Sequence, residues 1–224
     1  MTEKMLWGVA HAIDRPEELK AVMRGILERT PSSVGLELPE DYFDRNPPEY
    51  SDPYFFGDIA LFSRDNGIKV VPLEDPELWD TSIAITNAYT VVNGHLRREN
   101  LERAKEKMKH TVEMFPEKRR MVKGFKRQVT KTLQILGKSA YPSIEALMAM
   151  KNDYDGKRNK YMTQSTLSKQ PDIVIIGDAH AQAIKGALPG YVYADVYDLF
   201  SLGPRPARGL RLFPVDTIMR YRSR

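Results

Sequence analysis

The sequence predicts an α/β protein: a mainly parallel sheet flanked by helices, with a helical insertion in the middle of the chain. Three observations point there. Short apolar runs alternate with helical patterns from residue 1 to about 75, and the alternation resumes from about 169 to 224. Between them, over residues 76–168, strand-like runs thin out and helix-forming, charged residues take over. The two outer segments are therefore expected to be the halves of one α/β core, and the middle segment a set of inserted helices.

Each element has its own warrant. "KMLWGVA" is a short apolar run ending in glycine, suited to a buried strand. "DRPEELKAVMRGILERT" follows, with Asp14 as N-cap and Pro16 in the first helical turn. Its apolar residues Leu19, Val22, Met23, Ile26 and Leu27 recur at helical spacing. "SVGLEL" is a second strand, and "DYFDRNPPEYSDP", dense in Pro, Asn and Asp, is a loop. A helix capped by Asp52 and closed at Asn66-Gly67 leads into the strand "IKVVPLE". Beyond the insertion, "PDIVIIGDAH" carries the clearest buried strand, "AQAIKGAL" a short helix and "GYVYADVY" another strand. The tail "LRLFPVDTIMRYRSR" reads as one last edge strand.

Composition narrows the function. With 224 residues, 42% of them apolar, the chain can bury a sizeable core. It has no cysteine, which excludes disulfides, zinc knuckles and thiol nucleophiles and fits a reducing, cytoplasmic setting. No apolar run approaches the roughly 20 residues that span a bilayer, and the first residues lack a signal-peptide core. The net charge of +4 is concentrated: residues 97–138 hold fourteen Lys and Arg against five Glu. That segment could contact a polyanion or an anionic membrane surface, or be the solvated face of amphipathic helices.

The chemistry-bearing residues gather at strand ends. "WGVAH" and "IGDAH" share the frame Gly-x-Ala-His, each directly after a strand, and use two of the four histidines. In parallel sheets ligands sit beyond the carboxyl ends of the strands, so His11 and His180 are expected at one edge despite about 170 residues between them. Glu37 ends "SVGLEL", and Glu74 with Asp75 ends "VVPLED". A carboxylate closing an apolar strand must be paired, hydrated or metal-bound. Two histidines and one or two carboxylates suit manganese, cobalt, zinc or iron; without a metal, a histidine beside a glutamate is an acid–base pair. Glu74 and Asp75 could instead cap the helix beginning near Pro76. Arg158, on the helix feeding the strand that carries His180, would clamp an anionic or carbonyl group; flanked by Lys157 and Lys160, it could equally lie on a solvated basic face.

These ordered motifs resemble the TraB/PrgY/Tiki family, within the wider group of erythromycin esterase and ChaN-like proteins. The first half of the resemblance is "GVAHAIDRPEELKAVMRGILERTPSSVGLEL", with Gly8, His11 and Glu37. The second is "RNKYMTQSTLSKQPDIVIIGDAH", with Arg158, Asn159, Met162, Gly177 and His180. The resemblance covers about half of the chain. It implies a site built from both Gly-x-x-His elements and the glutamate, in a metal-dependent, peptidase-like hydrolase acting on a peptide or another amide or ester bond. His11, Glu37 and His180 would then hold a divalent ion, with Glu37 as ligand or general base. Arg158 would hold a carbonyl or carboxylate and Asn159 would donate to substrate or a ligand, in a binding edge completed by Gly8 and Gly177. The alternatives are a peptide- or haem-binding protein without turnover, and a nucleic-acid binder acting through the basic helices.

Overall fold

The structure is a computed structural model in which residues 3–10, 16–45, 55–93, 134, 137 and 143–203 are described. The basic segment 97–138, the Asp14 and Asp52 caps and the tail strand expected after residue 209 lie outside the described residues, apart from the isolated positions 134 and 137. The chain divides into two compact units, residues 1–79 with 155–209, and residues 80–154 with 210–224.

The first unit contains the sheet. Its strands are β1 (Lys4–Val9), β2 (Ser33–Pro39), β3 (Lys69–Glu74), β4 (Ile173–Gly177) and β5 (Tyr191–Asp195). They lie in the order β3-β2-β4-β1-β5, and every neighbouring pair is parallel. The five strands expected before the tail all form; β1, β2 and β4 are apolar runs buried on both faces, whereas β5 at the sheet edge is partly exposed.

Alternation divides the strand residues between two cores. Met5, Trp7 and Val9, with Val34, Leu36, Leu38, Ile173 and Ile175, pack against helices α1 (Pro16–Arg29) and α3 (Phe55–Asp65), including Val22, Ile26, Phe56 and Ile59. A short helix, α2 (Tyr42–Arg45), precedes α3. On the other face Leu6, Val71, Leu73, Val174 and Ile176 pack against Met162, Ala181, Ile184 and Leu188. Met162 belongs to α5 (Ile144–Lys169), and Ala181 and Ile184 to α6 (Asp178–Ile184). A 3₁₀ turn, Lys185–Ala187, and a last short helix, α7 (Val196–Leu199), flank β5.

Helix α4 (Pro76–Asn93) starts at its predicted cap: Asp75 Oδ1 accepts the backbone N–H of Glu77 at 3.0 Å and of Leu78 at 2.9 Å. In the second unit Ala84, Ile85 and Ala88 form a small buried cluster with Leu147. Helices α1 and α5 end alike, in a left-handed residue followed by proline: Thr30 (φ 46°) before Pro31 and Gln170 (φ 47°) before Pro171. No described helix is long and apolar enough to cross a membrane.

Strand order makes the switch point. The connection after β1 leaves through α1 on one face, and the connection after the adjacent β4 leaves through α6 on the other. The crevice that such a divergence opens at the carboxyl edge is the ordinary ligand position in open parallel sheets.

Candidate functional site

Strands β1 and β4 are neighbours, with Gly8 opposite Ile176 and Val9 opposite Gly177. The two Gly-x-Ala-His frames thus leave adjacent parallel strands at the same edge. His11 itself lies outside the described residues.

The centre of this edge is Arg158. It projects from the middle of α5 and is only 6% exposed. Its Nη2 donates to Glu37 Oε1 at 2.7 Å and to Glu74 Oε1. Its Nε donates to the same Glu74 oxygen at 3.0 Å, and Nη1 lies 3.2 Å from His180 Nε2. Asp155, one turn earlier on α5, places Oδ1 3.9 Å from Nη1, and the Trp79 ring lies 6.0 Å from the guanidinium carbon. Arg158 is therefore not a solvated basic residue, and carboxylates hold its Nε and Nη2.

Glu37 reaches this face by strand parity. Val34, Leu36 and Leu38 fill one core, which turns Gly35 and Glu37 to the other face. Its second oxygen accepts the Gly177 N–H at 2.6 Å, so the glutamate ties β2 to the start of the second Gly-x-Ala-His frame. Glu74 is 1% exposed, and its Oε2 is buried without a hydrogen-bond partner. Burial pushes the Glu74 carboxyl up to about 7; Arg158 opposes the rise, while the charges of Glu37 and Asp75 add to it.

Partners set the proton on His180. Asn159 Oδ1, which can only accept, lies 2.6 Å from Nδ1, and the guanidinium, which can only donate, faces Nε2. These partners fit hydrogen on Nδ1 and the lone pair on Nε2. Through Oδ1, Asn159 orients the histidine.

The glycines have structural work. A Cβ on Gly8 would lie 2.6 Å from Asp178 Oδ1 and 3.2 Å from the Tyr193 ring. Tyr193 donates to that Asp178 oxygen at 2.6 Å, and Gln182 Nε2 donates to the tyrosine oxygen at 2.6 Å. Gly8 is the space into which this network packs. Gly177 contributes its N–H to Glu37.

Of the residues read from the sequence, Glu37, Arg158, Asn159 and His180 come together. Glu74, noted only as a strand-end carboxylate or cap, joins them, while its neighbour Asp75 does the capping. Asp155 and Trp79 carried no sequence signal beyond their place on helices beside the cluster.

The donors can be tested against an ion. Among the described residues no group of three or more His, Asp or Glu side chains has the arrangement of a metal centre. Glu37 Oε1 and His180 Nε2 are 3.8 Å apart, close enough for one ion to share, but both already face the guanidinium. As they stand, the described donors, without His11, do not fit a divalent ion.

Comparison with protein-family models, with curated proteins and with solved structures finds no match for this chain.

Proposed function

We propose that the cluster around Arg158 is the reactive centre of a hydrolase acting on a peptide or another amide or ester bond. One observation carries the reading: Glu37, Glu74, Arg158 and His180, from four separate elements, converge in a largely buried group at the switch-point edge. Burying so many ionisable groups costs stability that an apolar core would not, and such clusters gather where chemistry is done.

His180 Nε2 supplies the base. It removes a proton from an attacking water while Nδ1–H stays on Asn159, and the imidazolium formed is balanced by Glu37, 3.8 Å away. Arg158 Nη1, released from Nε2 as that nitrogen takes the proton, donates to the carbonyl oxygen on which negative charge develops. The imidazolium then returns its proton to the leaving nitrogen or oxygen. Glu37 and Glu74 keep the guanidinium plane fixed through these steps.

A panel of fluorogenic peptides and nitrophenyl esters tests the reading. His180→Ala and Arg158→Lys are each expected to lower kcat/KM by about 100-fold or more. Turnover that is unchanged in His180→Ala would refute it.

A further inference from the structure

Two cations are offered for one place at this edge: the divalent ion that the family resemblance implies, and the guanidinium that the structure contains. We infer that Arg158 is the resident cation of this centre and stands where a divalent ion would otherwise sit among Glu37, Glu74 and His180. The inference goes beyond hydrolysis, because it concerns what occupies the centre and can be read without any substrate.

Three observations support it. First, the described donors that an ion would take, on Glu37, Glu74 and His180, face one side chain. The Glu37 carboxylate meets Arg158 Nη2 at 2.7 Å, the Glu74 carboxylate takes both Nε and Nη2, and the His180 lone pair lies 3.2 Å from Nη1. Second, those donors are held in that orientation from behind. Glu37 Oε2 is fixed by the Gly177 N–H at 2.6 Å, and His180 Nδ1 by Asn159 at 2.6 Å. Backing of this kind normally orients metal ligands, and here it orients them toward a guanidinium. Third, charge leaves little room for both cations. Arg158 is 6% exposed and lies against two carboxylates that are 5% and 1% exposed. A divalent ion bound to the same oxygens would sit within a few ångströms of that buried positive charge, where repulsion is least screened.

The converse follows: deleting the guanidinium should turn two carboxylates and an imidazole into a metal site. The experiment is a cobalt(II) titration of the untagged full-length protein, read by visible absorption. A ¹⁵N spectrum of the arginine Nε–H groups is recorded alongside. In the wild type, no stoichiometric cobalt absorption is expected, and the Arg158 Nε–H signal should keep its position and intensity. Arg158→Ala is expected to bind one equivalent of cobalt, and Arg158→Ala/His180→Ala to lose it. A wild type that binds one equivalent, broadens the Arg158 signal and loses both effects in His180→Ala overturns the inference. So does a folded Arg158→Ala protein that binds no cobalt. If Arg158→Ala does not fold, the wild-type arm decides alone. An inactive protein that gives the expected titrations would defeat the hydrolase reading and leave this one standing.

Discussion

Arg158 shows how a buried charge is kept. Burial works against its proton, but the Glu37 and Glu74 carboxylates more than offset this and hold it charged more firmly than in water. Removing one partner from such a group costs more than the group itself adds to stability. Arg158→Met is therefore expected to lower unfolding free energy by about 3–5 kcal/mol in urea titrations. Arg158→Met/Glu74→Gln should recover part of that loss, because one of the stranded charges is gone. Glu74 gives a second expectation, with a definite sign. Its folded pKa, about 7, lies above the ordinary value of 4.5, so its contribution to stability is complete below about 4.5 and is lost as pH rises through 7. Wild-type stability should fall relative to Glu74→Gln across that window, by at most about 1.4 kcal/mol per pH unit. A constant difference from pH 4.5 to 7.5 would show that Glu74 does not titrate there. At this scale the sequence displays the groups but not their partners. Glu74 is visible as a carboxylate ending an apolar strand, but the arginine that meets it lies 84 positions away.

Elements were legible where periodicity is strong. β2 could be read from "SVGLEL", and parity within it correctly turns Glu37 away from Leu36 and Leu38. α5 was less legible: its middle, "KNDYDGKRNK", has no apolar stripe and includes Gly156, so periodicity does not set its bounds. α6 starts at Asp178, earlier than "AQAIKGAL" suggested, because it follows β4 with no intervening loop. That abrupt start sets Asp178 on Gly8 and makes a test of docking. Gly8→Ala forces Asp178 or Tyr193 aside and should cost about 1–3 kcal/mol, with loss of the Asp178–Tyr193 bond visible in the tyrosine hydroxyl resonance. The opposite sign is expected at the end of α1. Thr30 is β-branched at φ 46°, so Thr30→Gly relieves strain and should raise stability by up to about 1 kcal/mol in thermal or urea unfolding.

Strand order belongs to the whole molecule, and no local pattern encodes it. That the two Gly-x-Ala-His frames reach one edge follows from a parallel sheet; that β1 and β4 are adjacent follows only from long-range packing. The order also predicts where the first unit is most stable. β4 is buried at every residue and hydrogen-bonded on both sides, by β2 and by β1. β3 and β5 are outermost among the described strands, and Val192 in β5 is 45% exposed. Yet the outer strands are not equivalent. β3 is tied inward through Glu74 to Arg158, whereas β5 is held by the Tyr193 contact to Asp178 and by pairing with β1. Native-state hydrogen exchange should therefore show three tiers. Amides of β4 and the β4-facing side of β1 should exchange only through global unfolding, β3 through a smaller opening, and β5 through the smallest. In Arg158→Met/Glu74→Gln the β3 amides should fall toward the β5 tier, while β5 itself should move only with the global change. If β3 keeps its protection relative to β5, the ion cluster does not hold that strand, and apolar packing through Val71 and Leu73 is sufficient to do so.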